Sequence, residues 1–269
     1  MKIFSMNNKD ISVILLLYKT PKKLLKNLEK YRNFKILILD QSNDEELKKW
    51  VKNKFKKVQF FGSLYKNVGF AKGINFLVKK VKTKFFLCTQ PDVLISDNSI
   101  KILKKTLVSN NNCIISVPNI NPSKRKKGKR IVDNFYGGIF MADKSKFLKM
   151  KMFDENFFFY WEDMDLSNRI KKTRYKIITN FDASAKHFYG SSSSFSVSSL
   201  FIRSSNFKFG EYLFQNKNNK LRIIKIFRQT LMLLPISAFY LLTLRPIKSL
   251  EKFFNFIGIL KFILFKIRN

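Results

Sequence analysis

Short apolar runs alternate with lysine-rich segments through the first half of the chain. Runs of this length are typical of β-strands, and the segments between them place leucines at helical spacing. The first run is apolar at nearly every position, which predicts a central strand buried on both faces. The alternation predicts an α/β fold, with a mixed, mostly parallel sheet flanked by helices. The predicted strands are Ile11–Tyr18, Ile36–Leu39, Val58–Phe61 and Phe85–Thr89, and the predicted helices are 21–33, 44–54 and Ala71–Val81.

The pattern changes near residue 200. Ser191–Ser199 is rich in serine and resembles a linker, and residues 206–269 read as helices in which Lys and Arg alternate with Phe, Leu and Ile. We therefore predict a main domain over residues 1–200 and a basic, aromatic-rich helical extension over 201–269. The late apolar run Leu231–Leu244 contains Pro235 and is shorter than the roughly 20 residues that cross a bilayer. The extension is expected to lie on a membrane rather than to cross it.

Basic residues far outnumber acidic ones. The sequence has 53 Lys and Arg against 18 Asp and Glu, a formal net charge of +35 at pH 7. This charge favours association with polyanions such as nucleic acid, anionic lipid or phosphorylated glycolipid. Lys, Asn, Ile and Phe are all abundant, as A/T-biased codons would produce, so part of the charge has a compositional origin. The basic segment Ser123–Arg130 either contacts phosphates or is a solvated loop.

The cysteines and the N-terminal run bear on location. Cys88 and Cys113 are too few for a disulfide framework, which indicates a reducing compartment. The run Ile11–Tyr18 is shorter than a typical signal-peptide core with its flanks, and no small-residue cleavage site follows it. We therefore expect a cytoplasmic protein.

Three carboxylates follow four consecutive aromatic residues within Phe158–Leu166, which we name the acidic motif. Glu162, Asp163 and Asp165 fit an acid-rich first turn of a helix, where negative charge suits the helix dipole. They equally fit a working site, since aromatic surroundings alter the proton affinity of a carboxylate and suit it to base chemistry or cation binding. Both interpretations stand on the motif alone.

Polar residues also follow two predicted strands. Asp40 ends the second strand, and Asp92 follows the fourth in Gln90-Pro91-Asp92. Ligands bind at the carboxyl ends of strands in open α/β sheets, and one carboxylate plus substrate phosphates is a normal way to hold Mg²⁺ or Mn²⁺. The two glycines in Asn67–Asn75 would let backbone approach an anion at a helix start. His187, the one histidine of the sequence, is either structural or a ligand.

The order of these segments resembles family 2 glycosyltransferases, especially the rhamnosyltransferase-like branch. The resemblance covers about residues 10–195 and is specific in combination rather than segment by segment. Its segments are Ile11–Tyr18, Asp40–Asp44, Asn67–Ala71, Gln90–Val93, Gly137–Met141, Phe153–Glu155, Tyr160–Leu166 and His187–Ser191. It implies a GT-A fold and inverting transfer of a sugar, rhamnose being one candidate, from a nucleotide-diphosphate donor to a hydroxyl of a growing cell-surface glycan or lipid-linked acceptor. Bacterial cell-wall or O-antigen polysaccharide synthesis is the implied setting.

The resemblance also implies a donor site. Asp40 would contact the nucleotide base or ribose, and Asp92 stands at the last position of the family's Asp-x-Asp metal motif. Gln90 departs from that motif and leaves one carboxylate for a divalent metal, Mg or Mn, with His187 as the additional ligand. Lys72 also departs from the family's small residue and either contacts the diphosphate or faces solvent. The implied lining of the same pocket is Asn67, Gly69, Lys72, Gly73 and Asn75.

The implied acceptor site centres on the acidic motif. Asp163 matches the family's catalytic base, while Glu162 and Trp161 would shape the acceptor pocket. Asp165 is expected to be structural, either capping the helix or contacting a neighbour of the base. Gly137 and Gly138 fall where the chain passes close to donor and acceptor. The implied partners are a dTDP-, UDP- or GDP-sugar, the acceptor and an anionic membrane on its cytoplasmic face.

Two other classes of function remain open from the sequence. A nucleic-acid-binding or anionic-membrane-binding protein would explain the charge, but it would give the carboxylates no purpose, and no nucleic-acid-binding motif is present. A catalytically inactive glycosyltransferase-like scaffold would keep the motifs without the reaction. No nucleic acid is expected among the partners.

Overall fold

The structure is a computed structural model that describes residues 8–55, 57–62, 67–122, 126–188 and 195–268. The chain divides into two compact units. The first lies within residues 1–68, 72–154 and 166–194, and the second within 69–71, 155–165 and 195–269. The predicted boundary near residue 200 thus lies close to where the chain last enters the second unit, but that unit also takes in residues of the acidic motif.

A mixed sheet forms the first unit, with nine strands among the described residues. They are β1 (Ile11–Leu17), β2 (Lys35–Asp40), β3 (Val58–Gly62), β4 (Phe85–Thr89), β5 (Val93–Ile95), β6 (Cys113–Ile120), β7 (Lys129–Val132), β8 (Phe140–Asp143) and β9 (Lys176–His187). Their spatial order is β3-β2-β1-β4-β8-β6-β9-β5, with β7 paired to β9. Strands β3, β2, β1 and β4 are mutually parallel, whereas β8 lies antiparallel to both β4 and β6.

Helices connect the parallel strands as the alternating pattern predicts. A 3-10 helix, Lys22–Tyr31, follows β1 where a helix over 21–33 was predicted. The α-helices are α1 (Glu45–Lys54), α2 (Phe70–Lys80), α3 (Asp97–Val108), α4 (Lys144–Lys149) and α5 (Glu162–Lys171). Asp44, Ser96 and Asp143 each accept a backbone N–H at the start of a helix, which satisfies a donor left free by the helical pattern.

The main core lies on the central strands. Val13, Leu15 and Leu17 of β1 are fully buried and pack with Ile36 and Ile38 of β2. Their neighbours Ile14 and Leu16 point to the opposite face, where Ile14 is also fully buried. The prediction that the first apolar run forms a central strand buried on both faces is confirmed.

Two predicted loops differ in the structure. The basic segment Ser123–Arg130 ends in β7, because Lys129 and Arg130 pair with Asn180 and Thr179 of β9. Arg130 and Lys126 also lie over the ring of Phe181, 6.0 and 5.6 Å from its centroid. Residues 123–125 lie outside the described residues. The serine-rich stretch, of which 191–194 likewise lie outside, ends not as a linker but as a helix start.

The second unit is built on helices α6 (Val197–Lys217), α7 (Ile223–Leu242) and α8 (Pro246–Arg268). Ser196 and Ser199 form a reciprocal capping box that begins α6. Gly258 of α8 permits a close approach to α6, since a Cβ there would stand 2.2 Å from the carbonyl oxygen of Ser205. The apolar core of this unit consists of Phe157, Tyr212, Leu213, Leu233, Ile259 and Phe262.

Helix α7 corrects the expected length of the late apolar run. It has 20 residues with Pro235 inside. It is the one helix of the described chain that is long and apolar enough to cross a membrane by length and composition, with a mean hydropathy of 1.2 over its most apolar stretch. The expectation that the apolar run is too short for a span was wrong, because the helix begins well before Leu231.

Candidate active site

Strand pairing brings Asp92 and His187 together in the first unit. Strand β5 runs antiparallel to β9 with Val93 opposite His187, which sets Asp92 beside the end of β9. The backbone N–H of Phe188 donates to the carbonyl oxygen of Asp92 at 3.0 Å. His187 Nε2 lies 3.4 Å from Asp92 Oδ2. The two sequence segments that contain Asp92 and His187 therefore meet at one end of the β5–β9 pair.

The Asp92 carboxylate is buried without a hydrogen bond from the described residues. Its residue is 1% exposed, and neither Oδ1 nor Oδ2 has a hydrogen-bond partner there. Burying an unpaired carboxylate is costly, and native structures pair such groups or place them on a cation. Carboxylate oxygens suit Mg²⁺ and Mn²⁺, and an imidazole nitrogen is a further metal ligand beside them. The described residues contain no group of three or more metal-ligating side chains.

Two residues that the sequence interpretation missed hold His187. Asn121 Oδ1 accepts the His187 backbone N–H at 2.8 Å, and Asn121 Nδ2 donates to the His187 carbonyl at 3.0 Å. The Tyr136 ring lies 5.5 Å from the imidazole, centroid to centroid. A Cβ on Gly138 would stand 2.3 Å from the Tyr136 ring, so glycine at 138 gives that ring its room. An Asn before a proline reads as an ordinary turn, which is why Asn121 carried no signal.

Asp40 organises the loop after β2. It is fully buried, and its carboxylate accepts the backbone N–H of Ser42 at 3.1 Å and of Asp44 at 2.8 Å. Gln41 Oε1 accepts the N–H of Val68 at 2.8 Å, which ties this loop to the segment that begins at Asn67. Gln41 was not predicted as a site residue. Both carboxylate oxygens of Asp40 thus bind backbone amides of its own loop. Its predicted contact with the nucleotide stays a prediction.

Three predicted donor residues of α2 have different surroundings. A Cβ on Gly73 would stand 2.6 Å from a Leu16 methyl carbon, so this glycine serves packing against β1. Asn75 is 1% exposed, and its amide donates to the Phe153 carbonyl at 2.9 Å and accepts the Phe153 N–H at 3.1 Å. The Asn75 side chain thus binds the backbone at Phe153, and the part of Asn75 in the donor pocket stays a prediction. Lys72 is exposed, and its part in donor binding stays a prediction.

The remaining predicted residues of the first unit close turns near the strand ends. The Gln90 carbonyl accepts the N–H of Val93 at 3.1 Å, which closes the turn between β4 and β5 around Asp92. The carbonyl of Gly137 accepts from the Cys88 thiol at 3.8 Å. Cys88 and Cys113 are both buried, and neither forms a disulfide.

The acidic motif lies in the second unit except for its last residue, Leu166, and a strained turn precedes its helix. Tyr160 and Trp161 both have positive φ, 71° and 73°. Consecutive non-glycine residues in this region are uncommon and cost about 1–3 kcal/mol each, so surrounding contacts must hold them. Trp161 Nε1 donates to the Phe207 carbonyl of α6 at 3.1 Å. A Cβ on Gly210 would stand 2.9 Å from Trp161 Cδ1, so α6 passes close to the turn.

Gly69 also contacts this motif. Its φ is +87°, and a Cβ there would stand 2.3 Å from the carbonyl oxygen of Phe158. The next residue, Phe70, donates its N–H to the same oxygen at 2.6 Å. The requirement for glycine at 69 therefore arises from backbone packing against the acidic motif, and a role in the donor pocket stays a prediction.

The three carboxylates of the motif have distinct environments at the start of α5. Burial, and next the charge of Asp163, raise the pKa of Glu162 to about 8, so this side chain holds a proton at neutral pH. Asp163 is half-buried, and one of its oxygens accepts the N–H of Met164 at 2.8 Å. Asp165 does not cap the helix, which begins at Glu162; its buried carboxylate lies 2.5 Å from Lys217 Nζ of α6. The first turn of the helix thus contains a neutral Glu162, a more accessible Asp163 and an ion-paired Asp165.

The fold belongs to the GT-A glycosyltransferase class, as predicted. The structure is similar to the crystal structure of GalNAc-T7 with UDP, GalNAc and Mn2+, with a TM-score of 0.61 and 15% identity over 78% of this chain and 50% of that one. The chain thus spans half the length of that protein. It is also similar to the mannosyltransferase PcManGT from Pyrobaculum calidifontis in complex with GDP-Man and Mn2+. There the TM-score is 0.60 and the identity 12%, over 96% of this chain and 88% of the other.

The sequence comparison then assigns the family. The glycosyl transferase family 2 model matches residues 12–183, more than half of the chain, so this chain belongs to glycosyl transferase family 2. A search among curated proteins gives no match. The prediction of a nucleotide-sugar-dependent glycosyltransferase is confirmed at the level of the family, while the rhamnosyltransferase-like branch stays a prediction.

Proposed function

We propose that this chain is an inverting glycosyltransferase that uses a divalent metal ion and Asp163 as its base. The observation that carries the proposal is that the Asp92 carboxylate is buried without a hydrogen bond from the described residues, with His187 Nε2 3.4 Å from it. Asp92 and His187 would hold the cation, with donor phosphate oxygens and water completing its coordination. When bound, the cation would offset the negative charge of the departing nucleoside diphosphate.

Asp163 would take the proton from the acceptor hydroxyl. The hydroxyl oxygen bonds to the anomeric carbon as the bond from that carbon to the diphosphate oxygen breaks, and the electron pair leaves with the diphosphate. Attack opposite the leaving group inverts the anomeric configuration. A carboxylate within hydrogen-bond reach of the hydroxyl is sufficient for this proton transfer. Asp163 suits the role because it is more accessible than Glu162 or Asp165.

Glu162 would bind the acceptor as a neutral group. Its pKa of about 8 leaves it protonated at neutral pH, so it donates a hydrogen bond instead of adding a second negative charge beside the base. Trp161 would form an apolar wall of the same pocket. Gly137 and Gly138 would lie near the donor and the acceptor. Gly138 also makes room for the Tyr136 ring.

The donor and acceptor classes follow from relatives and resemblance. The two similar structures hold UDP with GalNAc and GDP-Man, each with Mn2+. They support a nucleotide-sugar donor and a divalent metal for this chain, without favouring one nucleotide. We propose a deoxyhexose such as rhamnose as the donor sugar and a lipid-linked or growing surface glycan as the acceptor. The enzyme would then work at the cytoplasmic face of a bacterial plasma membrane, where the basic second unit suits an anionic surface.

A donor screen tests this function. Purified full-length protein is heated with dTDP-, UDP- and GDP-sugars, each with Mn²⁺, with Mg²⁺ or with EDTA. We expect one nucleotide sugar to raise the melting temperature only when metal is present, because the donor phosphates complete a two-ligand site. Nucleoside diphosphate release is measured in parallel. Stabilisation by no donor, together with retention on nucleic acid in a salt titration, would support the binding-protein class instead.

A further inference from the structure

Helix α7 presents an apolar face to its surroundings along its whole length. Leu242 is 83% exposed and Leu244, just beyond the helix, 89%. Ile223, Phe227, Leu231 and Leu234 follow one another at helical spacing, so they form one continuous stripe. The large hydrophobic residues exposed on and next to α7 are Ile223, Ile224, Phe227, Leu231, Met232, Leu234, Phe239, Leu241, Leu242, Leu244 and Ile247.

The opposite face of α7 is packed within the second unit. Leu233 belongs to the apolar core of the unit, and Ser237 Oγ donates to the Ser249 carbonyl of α8 at 2.9 Å. Gln229 accepts the Tyr212 hydroxyl hydrogen bond at 2.6 Å. The orientation of α7 about its own axis is therefore set by its neighbours. Soluble monomers seldom expose apolar patches of this extent, which mark interaction surfaces.

The charge around this face has one sign. No acidic residue occurs between Glu211 and Glu251. Arg222 and Arg228 stand at one end of α7, and Arg245 and Lys248 follow its other end, all four of them exposed. An apolar stripe with cations at both ends matches an anionic bilayer surface, which accepts apolar side chains below the headgroups and attracts the cations among them. A second copy of the chain would bring like charges together at both ends.

We infer that α7 lies in the plane of an anionic phospholipid bilayer, with its exposed stripe at the boundary between headgroups and acyl chains. Length and composition alone would also permit a span. Spanning is opposed by α8, which packs along α7 and carries Lys252, Lys261 and Lys266. Charged side chains are costly in hydrocarbon, and only one face of α7 is free to meet lipid. The surface binds lipid independently of the proposed reaction, although it would bring the enzyme to a lipid-linked acceptor.

Vesicle flotation tests the surface. The protein is floated with vesicles of phosphatidylcholine alone and with vesicles that also contain about one third phosphatidylglycerol, each at low and at high salt. We expect binding to the anionic vesicles to fall at high salt, and the triple variant Phe227→Ser, Leu231→Ser, Leu234→Ser to weaken it roughly tenfold or more. A matched control, Val108→Ser with Ile131→Ser, changes exposed apolar residues of the first unit and should bind normally.

Three outcomes would overturn the inference. Unchanged flotation of the triple variant, equal binding to neutral and anionic vesicles, or a dimer in light scattering that the triple variant abolishes would each exclude an anionic bilayer as the occupant. Melting curves confirm that the variant is folded. Donor hydrolysis should stay normal in it, so loss of lipid binding and failure of the proposed reaction are separate results.

Depth measurements distinguish an in-plane helix from a spanning one. The two native cysteines are buried, so labels can be attached at Ile224→Cys, Leu231→Cys and Leu242→Cys, one at a time. Lipids brominated at defined acyl positions then quench each label. We expect similar, shallow depths at all three positions. A deep Leu231→Cys label with the other two at opposite surfaces would show a span and contradict the inferred orientation.

Discussion

His187 Nε2 lies 3.4 Å from Asp92 Oδ2, and the carboxylate has no hydrogen-bond partner among the described residues. Because a buried carboxylate without a hydrogen bond destabilises a fold, the Asp92 side chain should cost stability until a cation binds. This predicts opposite effects of one substitution. Asp92→Asn should leave the melting temperature of the metal-free protein unchanged or higher, yet abolish the increase that Mn²⁺ and donor produce. Transfer should fall roughly 100-fold or more.

Differential scanning fluorimetry with and without Mn²⁺ measures both effects of Asp92→Asn. Asp133→Asn is the matched control, since Asp133 is an exposed carboxylate that pairs only with an exposed lysine in the described structure. A variant that loses stability without metal, or that keeps the full response to metal and donor, would show that Asp92 is structural.

Glu162 should make stability fall as pH rises. Burial raises its folded-state pKa from 4.5 to about 8. Between those values the unfolded chain loses its proton while the folded chain keeps it, so ionisation favours the unfolded state. Glu162→Gln lacks this titration. Its free energy of unfolding should therefore rise relative to that of the wild type between pH 5 and pH 8, by on the order of a few kcal/mol. Urea unfolding at several pH values measures this; parallel stability curves would contradict the assigned burial.

Lys217 should stabilise the acidic motif through Asp165. Their charged atoms lie 2.5 Å apart, and the Asp165 side chain is only 4% exposed. Lys217→Met removes the cation and leaves a buried carboxylate, which should cost about 3 kcal/mol. The double variant Lys217→Met, Asp165→Asn should be less destabilised, because the buried charge is gone as well. Equal losses in the single and double variants would rule out the ion pair as the cause.

Two glycines with positive φ provide a matched pair. Gly69 has φ +87°, and a Cβ added there would stand 2.3 Å from the Phe158 carbonyl oxygen, whereas Gly128 has φ +80° and a Cβ there would meet no described residue within 4 Å. Gly128→Ala should cost only the conformational penalty of about 1 kcal/mol. Gly69→Ala adds a backbone clash and should cost at least about 3 kcal/mol. Similar urea midpoints for the two variants would show that the close approach of Phe158 to Gly69 does not contribute to stability.

The parallel half of the sheet could be predicted from sequence because its inner strands are continuous apolar runs. Strands β7 and β9 could not, since Lys129 and Arg130 read as loop and β9 mixes polar with apolar residues. Asp92, His187 and Asp163 were proposed as site residues through the order of motifs, and their roles stay predictions. The partner of Asp165 could not be predicted, because the contact joins residues 52 apart and the sequence offers many other lysines besides Lys217.

The proposed proton-accepting role of Asp163 is tested most directly by following product formation with proton NMR. With the donor found in the screen, Mn²⁺ and a hydroxyl acceptor, we expect the product to have the anomeric configuration opposite to that of the donor. Asp163→Asn should slow transfer roughly a hundredfold to ten-thousandfold without loss of donor binding, because only the proton acceptor is removed. Retained configuration, or unchanged transfer by Asp163→Asn, would contradict an inverting reaction with Asp163 as its base.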